Sequence, residues 1–250
     1  MTEARNLVAL VTGANRGIGL ETSRQLAAQG VTVIMAGRDA AAIEAAAKTL
    51  QSEGLTVLPT VLDVTDAAQI EDVRRKIEGD FGRLDILINN AGAIIGESFF
   101  TNNARTVTRE GLQASFDVNL FAPIALTQAL LPLIEKAPAG RIVNLSSILA
   151  SITANRGWDG DFAEMADLKA VAYNTSKAAL NMYTVCLAAA LRHTPIKVNS
   201  AHPGWVKTEL GTEHAPMEIV DGAKTSVALA LLDADGPTGA FIHLGEPLPW

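Results

Sequence analysis

The chain has 250 residues, 48% of them apolar, enough to bury one sizeable core, so a single domain over 1–250 is the simplest reading. Twenty Lys and Arg against 27 Asp and Glu give a net charge of -7, which argues against a partner bound along a phosphate backbone and leaves room only for a local basic pocket. The one cysteine, Cys186, excludes an internal disulfide and a thiolate zinc site; the four histidines, His193, His202, His214 and His243, lack metal-ligand spacing and read as packing or surface residues, so no metal is expected.

Residues 1–6 run straight into an apolar strand, with neither a hydrophobic leader region nor a cleavage site. No apolar run approaches the roughly 20 residues of a spanning helix; residues 178–191 come nearest, and polar side chains interrupt them. The expectation is a soluble, cytoplasmic protein whose partners include neither nucleic acid nor membrane.

Residues 7–12 are apolar up to Thr12, the mark of a strand buried on both faces of a parallel sheet. A glycine turn, Gly13-Ala14-Asn15-Arg16-Gly17-Ile18-Gly19, leads into a helix over 20–29 that Gly30 closes. The unit repeats as strand 31–36 with helix 40–52, then strand 56–62 with helix 67–79, and a fourth strand follows at 84–88. Such alternation predicts right-handed crossovers and an α/β fold: a doubly wound, Rossmann-like parallel sheet of about seven strands with helices on both faces, in three αβα layers. Residues 93–105 read as a loop over the carboxyl edge of the sheet. The helical period returns over 108–134, where Pro123 should impose a kink and Pro132 lies near the end. A fifth strand (141–146) precedes an insertion at about 148–171 with a little local helix. Helix 173–193, strand 196–201, helix 216–232 and strand 239–244 complete the chain.

Gly13, Gly17 and Gly19 end a strand and open a helix, where unpaired amides and the dipole accept a pyrophosphate. Their G-x-x-x-G-x-G spacing departs from the strict Rossmann fingerprint. The second strand ends in Ala36-Gly37-Arg38 without the carboxylate an NAD ribose needs; Arg38 and Arg16 could instead grip a 2'-phosphate. Asp39 is the rival acid, yet it suits the N-cap of the following helix. The cofactor expected is therefore NADPH (NADP+) ahead of NADH. Asp63 could accept from the adenine amino group, with Val64 against the ring. Asn90, Ala91 and Gly92, after Asn89, offer an amide to pin backbone and small residues where a cofactor passes closely.

Tyr173 and Lys177 stand at i,i+4 on one helix, so an ammonium sits beside a phenol and favours its ionised form. The pair is common by chance and gains meaning only from its company. The glycine turn, Asn89 to Gly92, Asn119, Ser147, Tyr173 with Lys177, and Pro203-Gly204 occur in the order found in the short-chain dehydrogenase/reductase family, which the chain resembles over nearly its whole length. The Gly-Ala-Asn-Arg-Gly-Ile-Gly-Leu turn, Leu62-Asp63-Val64-Thr65-Asp66 and the long segment before Tyr173 look most like the carbonyl-reductase-like branch.

The resemblance implies an NADPH-dependent reductase of a small ketone or aldehyde. Tyr173 would be the general acid, Ser147 would hydrogen-bond the same carbonyl oxygen, Lys177 would lower the Tyr173 pKa and bind the nicotinamide ribose, and Asn119 would hold a water linking Lys177 to solvent. Ser146 is the neighbouring alternative to Ser147. Pro203, Gly204, Val206 and Thr208 would close over the nicotinamide; Ile94, Ile148, Trp158 and Trp205 could line the substrate pocket. The long segment between Ser147 and Tyr173 often covers the face used for dimerisation, which is compatible with a monomer and leaves a homodimer or tetramer open. A catalytically silent dinucleotide sensor, an NAD-dependent alcohol dehydrogenase of this fold, and a sugar-nucleotide epimerase or dehydratase are the competing readings; the last needs a substrate domain for which 250 residues leave no room.

Overall fold

The computed structural model describes residues 7–95, 104–156 and 170–250. Strands β1 (Val8–Thr12), β2 (Thr32–Gly37), β3 (Val57–Val61), β4 (Ile86–Asn89), β5 (Arg141–Leu145), β6 (Lys197–Ala201), β7 (Phe241–His243) and β8 (Glu246–Pro247) form one sheet in the order β3-β2-β1-β4-β5-β6-β7-β8. The first seven run parallel, and β8 folds back antiparallel on β7 through Ile242 opposite Pro247. That hairpin is the one strand beyond the seven expected. It is two residues long, too short to leave a period in the sequence.

Alternation along each strand sorts side chains between two helical layers. Ala9, Val11, Val33 and Met35 join α1 (Gly17–Ala28), α2 (Ala40–Ser52) and α8 (Ile219–Ala230) through Leu26, Ile43, Leu50 and Val227. Val8, Leu10, Ile34 and Ala36 face α3 (Ala67–Phe81), α5 (Ala122–Ile134) and α7 (Val171–Ala190) through Ile70, Ile77, Leu126, Leu130 and Ala188. Both layers are closed against water, as a parallel sheet requires. Asp39 caps α2 by accepting from the Ala42 N–H, and Asp66 caps α3 by accepting from Ala68 and Gln69, which fixes where both helices start.

The expected helix over 108–134 is continuous but not uniform. It runs as α4 (Arg109–Phe116), a π-helical turn over Asp117–Phe121, then α5. Pro123 falls just after the wide turn, where the Ala122 N–H donates five residues back to Asp117 O. A proline ring clashes with the carbonyl four residues before it, and the wider turn relieves that clash. By length and a mean hydropathy of 1.4 this helix could cross a membrane, which corrects the choice of residues 178–191 as the most apolar stretch; half of it is buried inside the fold.

The insertion after β5 begins with a single 3-10 turn (Ile148–Ala150) and the short α6 (Ile152–Arg156). The rest of the segment on which the monomer expectation rests lies outside the described residues.

Candidate active site

The strand order reverses between β1 and β4, so the loops after these strands meet at a crevice. Thr12 ties them together. Its hydroxyl donates to Ile88 O and accepts from the N–H groups of Asn90 and Ala91 at 3.0 and 2.9 Å, while Asn90 Nδ2 donates to Thr12 O at 2.7 Å. Gly13 and Gly17 are left-handed, at φ 64 and 55, where a side chain would be strained. A Cβ at Gly19 would collide with the Gly13 carbonyl and lie 2.5 Å from Asn90 Nδ2. Internal packing therefore accounts for Gly13 and Gly19 without a ligand. The start of α1 points to one: Arg16 is its N-cap and makes no side-chain cap bond, leaving the first-turn amides of Ile18 and Gly19 for an anion.

Around the rim, Asn15 Oδ1 would lie 3.6 Å from a Cβ on Gly37, so the turn abuts the end of β2. Arg38 is exposed there, and Asp39 is committed to capping α2. Arg16 pairs with Glu209 across the mouth of the crevice, both side chains exposed. Asp63 Oδ1 accepts from the Thr65 hydroxyl and N–H at 2.7 and 2.9 Å; these bonds, aided by Arg38 and opposed by burial, hold its carboxyl below the usual range. Beside it a groove of about 570 Å³ is lined by Val64, Thr65, Ile95, Val118 and Phe121. Val118, next to Asn119, lines this groove and was not among the expected site residues.

At the carboxyl edge of β5 the structure brings Ser147, Tyr173 and Lys177 together. Tyr173 and Lys177 are buried on α7, with Lys177 Nζ donating to Leu145 O at 2.8 Å and lying 5.9 Å from the centre of the Tyr173 ring. Ser147 hydrogen-bonds the Tyr173 phenol, whereas Ser146 Oγ is buried without a partner and its N–H is spent on Ala201 O. Burial pushes the phenol up to about 12, with the Ser147 bond pulling it partly back. Desolvation thus leads here, and the expected lowering by Lys177, whose ammonium is turned to Leu145 O, is not seen. The same desolvation brings Lys177 down to about 8.

Asn119 lies in the π turn, its Oδ1 accepting from the Ala93 N–H at 2.9 Å and its Nδ2 donating to Ala93 O and to Ser176 Oγ at 2.8 and 3.1 Å. A Cβ on Gly92 would lie 3.1 Å from Lys177 Nζ and 3.2 Å from Asn119 Oδ1, so a side chain there would crowd both groups.

The segment after β6 closes the crevice from the other side. Gly204, at φ 93, packs on Met217 and His243, and Thr208 stands opposite Gly17, 3.5 Å from where its Cβ would be. Val206 is buried, and its Cγ2 would lie 2.6 Å from a Cβ on Gly222 of α8, so only its backbone can face a ligand. Pro203 is half-buried between them. Of the expected pocket residues, Ile94 packs with Leu149, Ala170 and Tyr173. Ile148 borders Ser147. Trp205 is 56% exposed, its indole N–H donating to Gly211 O. Trp158 lies outside the described residues.

A helix start without a side-chain cap, glycine-lined walls and a buried phenol, hydroxyl and amine at the closed end could hold a dinucleotide. Residues 7–219 match the short chain dehydrogenase family. The chain is 33% identical to carbonyl reductase [NADPH] 1 of Bos taurus, covering 98% of this chain and 99% of that one. It is 32% identical to (+)-neomenthol dehydrogenase of Arabidopsis thaliana, covering 96% and 97%. Among solved structures, the NADPH-bound carbonyl reductase from chicken fatty liver superimposes with a TM-score of 0.84 at 30% identity, over 98% of this chain and all of the other.

Proposed function

The chain belongs to the short-chain dehydrogenase family, and from that premise we propose that it is an NADPH-dependent reductase of a small ketone or aldehyde. The observation that carries the reading is the buried Tyr173 phenol, hydrogen-bonded to Ser147 and backed by Lys177, at the closed end of a crevice that opens on the start of α1. Two relatives support the cofactor: the cattle enzyme is named for NADPH, and the chicken one was crystallised with it.

Ile18 and Gly19 at the start of α1 would hold the pyrophosphate, Asp63 and Val64 the adenine, and Arg38 with Arg16 the 2'-phosphate. Asn90, Ala91 and Gly92 would flank the ribose, and the backbone of Val206 with Thr208 the carboxamide. Bound there, a reduced nicotinamide supplies the hydride. Tyr173 is protonated at neutral pH, as a phenol ordinarily is, and would give that proton to the carbonyl oxygen. Ser147 donates to that same oxygen as negative charge develops on it. Lys177 would bind the ribose hydroxyls and return a proton toward Tyr173. One lone pair of Asn119 Oδ1 is left to accept from a water that connects Lys177 to solvent.

The direct test is transfer of deuterium from labelled NADPH to the carbonyl carbon, run across ketones, quinones and aldehydes and repeated with NADH. Turnover with NADPH that Tyr173→Phe reduces by at least about a hundredfold is expected, within the range for a positioned general acid. Full activity in Tyr173→Phe would reject the assigned acid. Binding of NADPH without turnover on any carbonyl would favour a silent sensor.

A further inference from the structure

His202 follows β6 directly, is 9% exposed, and is used by none of the steps above. Its Nδ1 accepts from the Ile148 N–H at 3.2 Å and, over a longer reach of 3.4 Å, from the Gly204 N–H. Ile148 adjoins Ser147 in the chain. Gly204 opens the segment that carries Val206 and Thr208. One ring nitrogen thus joins the loop holding the serine to the loop facing the nicotinamide end of the crevice. Two amides converging on Nδ1 need its lone pair, so the ring is neutral with its hydrogen on Nε2.

The surroundings keep it so. The ring lies 4.8 Å from that of His243, whose Nδ1 meets His202 O at 2.9 Å, and 6.5 Å from that of Phe241. Burial, and then His243 beside it, hold the His202 pKa down to about 3, so the lone pair persists through the physiological range. Asn and Gln cannot be equated here. An asparagine Oδ1 reaches the place of Nδ1, while a glutamine amide reaches that of Nε2.

We infer that His202 is a positioning residue for hydride transfer: its Nδ1 lone pair fixes the backbone beside Ser147 relative to the Pro203-Gly204 turn, and so holds the Ser147 hydroxyl in line with the carbonyl to be reduced. The inference rests on the reductase reading above. It assigns a role to a histidine that the sequence offered only as a packing or surface residue.

The test compares His202→Leu, which keeps bulk and removes the acceptor, with His202→Asn, which restores an acceptor near the same place. His202→Leu should lower kcat by about tenfold to a hundredfold, the scale of a small misplacement at a reacting centre, with the NADPH dissociation constant, read by cofactor fluorescence, changed by no more than about twofold. His202→Asn should recover most of kcat. Wild-type kcat in His202→Leu, or equal losses in both variants, would overturn the role. If the leucine variant does not fold, nitrogen-15 spectra of the wild-type ring decide: Nδ1 should stay unprotonated from about pH 5 to 9, and a protonated or titrating Nδ1 there overturns it. That spectrum needs no turnover, so failure of the reductase reading and failure of this one are told apart.

Discussion

Burial acts on Tyr173 and Lys177 in the same sense, driving each toward its uncharged form, the phenol up to about 12 and the amine down to about 8. Unfolded, Lys177 keeps its proton to about 10.4, so between about 8 and 10 the unfolded chain binds more protons than the folded one, and this site adds stability as pH rises. Below 8 folding carries the whole cost of burying the ammonium, on the order of 3 kcal/mol. Tyr173 acts oppositely only above about 10, where the unfolded chain loses its phenolic proton first. Lys177→Met should therefore gain stability over wild type at pH 7 and lose much of that advantage by pH 10; urea unfolding giving the same difference at both would contradict the burial account. Arg38 makes a second residue-scale case, since the proposed role of its charge is to meet a 2'-phosphate that NADH lacks. Arg38→Ala should weaken NADPH binding by about tenfold or more and leave NADH nearly unchanged. Comparable turnover of both cofactors by the unaltered protein would remove that role. Tyr173, Lys177, Ser147 and Asn119 were expected from residue type and order, and the structure brings the first three together, whereas the direction of the Tyr173 shift, the inward turn of Val206 and the bonds to Thr12 and His202 arise from distant chain segments and leave no local pattern.

At the scale of elements, α7 is registered on the sheet by a buried polar ladder. Asn89 Nδ2 donates to Asn144 Oδ1 at 2.8 Å, Asn144 Nδ2 to Thr184 Oγ1 at 2.9 Å, and Ser200 Oγ to Thr184 Oγ1 at 2.9 Å, crossing β4, β5, α7 and β6 in turn. Asn144 is fully buried, so Asn144→Leu would take one partner each from the Asn89 amide, which keeps Thr127, and the Thr184 hydroxyl, which keeps Ser200 and Leu180, at a cost of about 1 to 2 kcal/mol. A lowered melting temperature with an equal or larger loss of kcat is expected, because α7 carries Tyr173 and Lys177. Unchanged activity in a destabilised variant would show that the ladder supports the fold alone. Element boundaries were legible where a side chain sets them: α2 spans the expected 40–52 because Asp39 caps it and a terminal Gly-Leu pair follows. They were not where backbone context decides. No side chain caps α7 at Ala170, and it starts two residues earlier than periodicity indicated. The π turn is invisible to a pattern that continues through it, and Pro123 was its one trace.

For the molecule as a whole, the βαβ alternation carried the architecture, because each strand must be covered on both faces and the crossover hand leaves one winding. The crevice at the reversal between β1 and β4 followed from the same rule. The last hairpin did not, and it has its own consequence. A sheet of this width ends in two rows of unsatisfied backbone groups, each a template for a foreign strand. One row is shortened by the two-residue β8; the other runs along β3, where Leu58 and Val61 are exposed but Pro59, opposite Met35, has no N–H to offer a newcomer. Pro59→Thr would complete that row. Its light scattering on mild heating should rise earlier than that of the parent protein at equal unfolding, and coincident traces would mean that the outer strand is guarded by something else. The proline thus serves the solution behaviour of the chain: it discourages molecules from zipping together side by side.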